Sequence, residues 1–234
     1  MPADIVFDRI VITVADVASA VAQYRQLIGT EPFYTEGVAS RSAAWWPLSN
    51  TVIELLEGDT DRPHIAGVVL GSSEAQADQL LVDNSLGLSI SVGNGSGTAA
   101  MRRHLSDRPL PGLSVDHLVL RTGEAESCVA LFRDELGIRL ALDQTVPEWG
   151  GRMLFFRAGQ LTLEVIQAED DVDRGSFFWG IAYQCPDLEQ AVTELVNRGV
   201  TVSGTREGRK PGTRVATVKS HCLGIPTLLI QPLT

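Results

Sequence analysis

Four stretches of this chain, residues 9–19, 67–77, 117–127 and 180–190, repeat one pattern of apolar and polar positions. Each begins as an apolar strand, passes through a short polar turn with an acidic residue, and enters a segment whose apolar positions recur at helical spacing. In the first copy Ile10, Ile12 and Val14 fall on one strand face, with Arg9, Val11 and Thr13 on the other. Asp16 then serves as N-cap of a helix over 17–28, which buries Val17, Val21, Tyr24, Leu27 and Ile28 and stops at Gly29. Extended segments near 32–38 and 42–47 follow, and the strand 51–56 closes a β-α-β-β-β unit.

The third copy reads most clearly. A strand over 114–121 leads to a helix over 124–136, stopped by Gly137, and a strand over 138–142. A loop over 146–151 precedes strands over 152–157 and 161–166. In the last of these Leu161, Leu163 and Val165 face one way, and Thr162, Glu164 and Ile166 the other. The fourth copy predicts a strand over 177–184, a helix over 187–198, a strand over 200–203, a basic loop over 206–214, and strands over 214–218 and 226–231. The second copy, about 61–107, is shortened: a strand over 65–70, a helix over 74–83, a strand over 88–92, a turn-rich stretch over 93–97 and a short helix over 98–105. Its last strand has no clear counterpart. The run Pro109, Leu110, Pro111, Gly112 marks a boundary between 1–112 and 113–234. The predicted fold is α+β, with four βαβββ-type modules (the second incomplete) forming two cup-shaped mixed sheets.

Composition narrows the partners. With 44% hydrophobic and 21% charged residues in 234, the chain is long enough to bury a globular core. A net charge of -10 works against nucleic acid or an anionic membrane as partner, since both attract basic surfaces. No apolar run reaches the roughly 20 residues of a membrane span, and the start Met1 to Ile5 has no basic, apolar leader. Three scattered cysteines, Cys128, Cys185 and Cys222, suit a reducing cytoplasm and read as small buried hydrophobes. No glycine-rich phosphate loop follows a strand, and no serine nucleophile sits between glycines.

The aligned first-strand column reads Arg9, Gly67, His117, Gly180, and the last-strand column has Glu54, Glu164 and Leu228. An imidazole and a carboxylate on adjacent strands, facing the same way, can converge on a divalent cation. The bland reading is a His–Glu contact in a cup that only binds ligand. Glu54 has Arg9 as a ready salt-bridge partner. His221, in the turn 220–224, reads first as an exposed loop residue.

A repeated β-α-β-β-β unit with His on its first strand and Glu on its last resembles the vicinal oxygen chelate superfamily. That group includes glyoxalases, extradiol dioxygenases, methylmalonyl-CoA epimerases and bleomycin-resistance proteins. The resemblance implies paired modules enclosing a cup, with a divalent metal cation held by His117 and Glu164 and Glu164 doubling as catalytic base. It implies a lyase or isomerase of the glyoxalase type, acting on a small-molecule vicinal-oxygen substrate. Trp149, in a glycine-rich loop, would cover the substrate; Arg152 would clamp a carboxylate or phosphate, and Gln184 would supply a polar contact. The partner positions Gly180 and Leu228 cannot bind metal, which disfavours the two-His, one-carboxylate triad of ring-cleaving dioxygenases. Gly180 would instead make room for a bulky substrate. Further ligands would come from His221, Glu148, or Glu54 through an unusual pairing of modules, from water and substrate, or from a second copy in a homodimer. The rival readings are a metal-free sequestering protein of the bleomycin-resistance type and a dioxygenase with an atypical metal site.

Overall fold

The structure, a computed structural model, describes residues 5–36, 41–75, 80–95, 98–99, 112–149, 151–168 and 175–233. Two mixed sheets carry the chain. The first is built from β1 (Val6–Val14), β2 (Phe33–Glu36), β3 (Ser42–Pro47), β4 (Val52–Glu57), β5 (His64–Gly71), β6 (Leu80–Leu81) and β7 (Ser89–Gly93), in the order β2-β3-β4-β1-β5-β7-β6. The second is built from β8 (Ser114–Thr122), β9 (Arg139–Val146), β10 (Gly151–Ala158), β11 (Leu161–Gln167), β12 (Phe177–Gln184), β13 (Arg206–Glu207), β14 (Thr213–Val218) and β15 (Thr227–Pro232). Its order is β13-β14-β15-β12-β8-β11-β10-β9.

The modules pair in chain order. First strands meet antiparallel at the centre of each sheet, β1 with β5 and β8 with β12. The closing strand of a module returns parallel beside its opening strand, β4 on β1 and β11 on β8. A parallel return needs a crossover, which α1 (Val17–Ile28) supplies in the first module. Asp16 caps α1 by accepting from the Ser19 N–H at 2.5 Å, and Gly29 ends it at φ 85. In the third module α2 starts as an α-helix over Ala125–Cys128 and widens to a π-helix over Val129–Glu135. In the fourth, α3 (Leu188–Asn197) is capped by Asp187, which accepts from the Gln190 N–H at 3.0 Å.

Three expectations need correction. Leu80 and Leu81, placed in a helix over 74–83, form strand β6 and pair with Val92 and Ser91. Residues 76–79 and most of the expected helix 98–105 lie outside the described residues. The expected strand 200–203 shrinks to one bridge, Val202 to Val218. The basic loop 206–214 instead opens with β13, paired antiparallel to β14. Val200 and Val202 alternate with Thr201 and Ser203 and pack on the core, but Gly204 and Thr205 end the apolar alternation after two positions.

Alternation sorts each sheet into a face packed on helices and a face left to the cup. In the second sheet Leu118, Leu120, Leu154, Phe156, Leu163, Val165, Ile181 and Leu229 are buried on the helix side. The three cysteines are buried and unpaired by disulfides; burial pushes the Cys128 thiol up to about 12. One continuous core joins both halves. Asn50 of the first half donates to the Val115 carbonyl at 2.7 Å and accepts the Val115 N–H at 3.0 Å. The hydroxyls of Tyr24 and Tyr183, both fully buried, share a 2.5 Å hydrogen bond across the halves. Removing one hydroxyl strands the other without water. Tyr24→Phe should therefore cost about 1–3 kcal/mol in urea unfolding. Tyr24→Phe/Tyr183→Phe should cost less than the two single changes together; strict additivity would mean the hydroxyls do not interact.

Candidate functional site in the second cup

A bulge builds the site. On β8, His117 lies opposite Ala182 and Val115 opposite Tyr183, so Asp116 is an extra residue with no partner on β12. A bulge re-aims side chains that strict alternation would send to opposite faces. The Asp116 carboxylate thus reaches its own neighbour, with Oδ2 2.8 Å from His117 Nδ1. The parallel register of β11 on β8 sets Glu164 opposite Val119, two residues beyond His117 and on the same face. His117 Nε2 and Glu164 Oε2 stand 3.6 Å apart.

The three groups perturb one another. Burial opposes charging His117, but the hydrogen bond to Asp116 and the charges of Glu164 and Asp116 outweigh it and raise its pKa. Burial also opposes charge on Asp116; the bond from His117, with the cations His117, Lys210 and Arg157, lowers its pKa nonetheless. For Glu164 burial prevails, and its pKa is raised although His117 and Arg209 pull it down.

The opposite wall of the cup is largely apolar, with Thr217 in register with Leu228 as a polar position. Ala182, Val215 and Ile230 form a small buried cluster with Leu228 packed on it, and Gln184 follows Ala182 two residues along β12, half-buried. Leu228 is in register with Ala182 and provides no donor. Gly180 does not open space for substrate. A Cβ there would lie 2.6 Å from the Pro226 carbonyl oxygen, so the glycine is required by the close approach of the chain entering β15.

The remaining predicted residues are dispersed. Arg152 lies on the helix side of β10, not in the cup: it donates to Asp143 at 2.7 and 2.9 Å and to Glu126 on α2 at 2.6 Å. It is two residues before Leu154 and four before Phe156, both buried on that side, which is why it turns away. Trp149 ends a single 3-10 turn, Pro147–Trp149, in which Glu148 is exposed. His221 sits in the β14–β15 turn at φ 60, with Nδ1 2.8 Å from Ser220 Oγ. It helps line a cavity of about 420 Å³ with Gln23 and Pro63 of the first half; Asp116, His117 and Glu164 do not line it. That cavity lacks the carboxylate-and-imidazole chemistry of the cup.

Glu54 does not join His117, because it belongs to the first sheet, where the same device recurs. Phe7 faces Leu70 and Arg9 faces Val69, leaving Asp8 as the bulged residue, and Glu54 is in register with Val11. Arg9 Nε is 3.1 Å from Glu54 Oε2, and Arg9 Nη1 is 3.6 Å from Asp8 Oδ2. The guanidinium lies 4.7 Å over the Trp45 ring. Asp8, Arg9 and Glu54 thus repeat Asp116, His117 and Glu164 with a guanidinium in place of the imidazole. Sequence reasoning passed over Asp8 and Asp116, although an aspartate before the basic residue was visible in both copies. It also passed over Arg157, whose Nη1 donates at 2.7 Å to Thr162 Oγ1, on the residue directly opposite His117.

Among the described residues no group of three or more His, Cys, Asp or Glu side chains could hold a metal ion. His117 and Glu164 supply two donors that fit a divalent cation. With the Nδ1 proton directed at Asp116, the Nε2 lone pair of neutral His117 faces the carboxylate of Glu164, the usual support for a ligating imidazole. Among the described residues no helix is long and apolar enough to cross a membrane.

Comparison with known proteins follows this division. Residues 116–217 match the family model described as the Glyoxalase/Bleomycin resistance protein/Dioxygenase superfamily. No curated protein matches the chain in sequence. A mutant of 4-hydroxymandelate synthase from Streptomyces coelicolor is 14% identical over 97% of this chain and 92% of its own, with a TM-score of 0.73. The Mn(II)-bound glyoxalase from Novosphingobium aromaticivorans is 14% identical over 97% of this chain and 82% of its own, with a TM-score of 0.66. At that identity the likeness is one of fold, and it runs through both halves. The paired βαβββ modules and two mixed sheets match the fold of these structures, and residues 116–217 are similar to that superfamily.

Proposed function

We propose that the second cup is the active site of a glyoxalase-like lyase or isomerase, in which His117 and Glu164 hold a divalent cation beside a small vicinal-oxygen substrate. The observation that carries this reading is the 3.6 Å approach of His117 Nε2 to Glu164 Oε2, with Nδ1 anchored 2.8 Å from Asp116. The chemistry supplied by such a cation is Lewis-acid polarisation of a substrate carbonyl. Asp116 fixes the His117 tautomer and ring orientation. Glu164, made more basic by burial, accepts a proton at Oε2 from the carbon next to that carbonyl and returns it. The apolar wall of Ala182, Val215, Leu228 and Ile230 excludes water from the face opposite.

A second reading is favoured by that same wall. With metal-ligating donors on one side only, the cup also suits a protein that sequesters a ligand without metal. Elemental analysis of protein purified without chelator separates the two. The wild type should carry about one divalent ion per chain. His117→Ala should lose nearly all of it with an unchanged thermal transition, and Asp116→Ala should bind roughly 10–100-fold more weakly. Equal metal in wild type and His117→Ala would remove His117 from the site; none in either would favour sequestration.

A further inference from the structure

We propose that Arg157 selects substrates that carry a second carboxylate, distal to the atoms held at His117 and Glu164. This rests on the second cup being the site. Arg157, Thr162 and His117 form one rung across β10, β11 and β8. The bond from Arg157 Nη1 to Thr162 Oγ1 at 2.7 Å lays the exposed guanidinium over the strand adjoining His117. Adjacent strands are about 4.8 Å apart, so the guanidinium and the His117 ring are separated by roughly 5–10 Å. A short dicarboxylate spans that distance.

The surroundings point to an anion. Among the described residues Arg157 makes no ion pair, whereas Arg152, the arginine at the other end of the same strand, is taken up by Asp143 and Glu126. Bonding to Thr162 uses one of five guanidinium donors and leaves a planar fork suited to a carboxylate. Two further cations, Arg209 and Lys210 of the turn between β13 and β14, act on Glu164 and Asp116. Three cations thus gather around two carboxylates in a chain whose net charge is -10. Positive potential at this one cup is what an anionic substrate would find.

The test compares two probes of equal carbon number, 2-oxoglutarate and 2-oxopentanoate, which differ in having a carboxylate or a methyl group at the far end. Binding to the full chain is measured by calorimetry, with Mn(II) and again with chelator. The wild type should bind 2-oxoglutarate about tenfold or more tightly than 2-oxopentanoate. Arg157→Ala and Arg157→Gln should abolish that preference and change 2-oxopentanoate affinity by no more than about twofold, while Arg157→Lys retains part of it. A preference that depends on Arg157 but not on Mn(II) upholds the role of Arg157 and overturns the metal reading. Equal binding of both probes, a preference that survives Arg157→Ala, or no binding of either under both conditions overturns the role of Arg157.

Discussion

Arg9→Met should lower the stability of this chain by about 3–5 kcal/mol, more than any other single change considered. Arg9 is the cation facing two buried carboxylates, Asp8 and Glu54, each 5% exposed. Methionine fills much of the same volume, so the loss is electrostatic rather than a cavity. Two negative charges would remain in a poorly solvated cup, where the Thr98 hydroxyl already donates to Asp8. For a chain of this length the midpoint of thermal unfolding should fall by roughly 6–20 °C. The control is Asp8→Asn/Arg9→Met/Glu54→Leu, in which both leftover charges are also removed. Replacing a whole buried charge cluster by neutral groups is often neutral or better, so the triple variant should recover most of the loss. If urea unfolding showed the single variant within about 1 kcal/mol of wild type, the first cup would not depend on this charge balance.

Gly180→Ala should cost about 1–3 kcal/mol, although alanine is the smallest possible addition. The new Cβ would meet the Pro226 carbonyl oxygen at 2.6 Å and the Pro226 Cβ at 3.1 Å. The first of these is backbone, which also accepts the Ile181 N–H at 3.0 Å, so it cannot swing aside as a side-chain tip would. The same reasoning governs Gly180→His, the change that a two-histidine metal site would suggest. It should unfold at a lower temperature than wild type without gaining metal. A Gly180→His protein of wild-type stability that bound a second equivalent would show that the chain before β15 has room to move.

Much of this architecture was legible from periodicity. The repeat of strand, acidic turn and helix located all four opening strands, and alternation placed His117 and Glu164 on one face of the second sheet. What escaped has a physical reason. A bulge is a mismatch between two strands, and nothing within β8 alone announces that Asp116 will share a side with His117. Met153, Leu154, Phe155 and Phe156 are apolar without a break, so β10 has two apolar faces and its pattern does not say which arginine enters the cup. Arg152 was chosen and Arg157 is the one on that side, at an odd separation of five residues. In the second module the polar, glutamine-rich run before Leu80 suited a helix, whereas pairing with β7 made the end of it a strand.

The two cups differ in where their positive charge comes from. Arg9 is covalently part of the polypeptide, so its balance with Asp8 and Glu54 is settled at synthesis. The second cup, if it takes a cation between His117 and Glu164, draws on the surrounding solution. The same duplicated scaffold would then answer to inheritance in one half and to the ionic environment in the other.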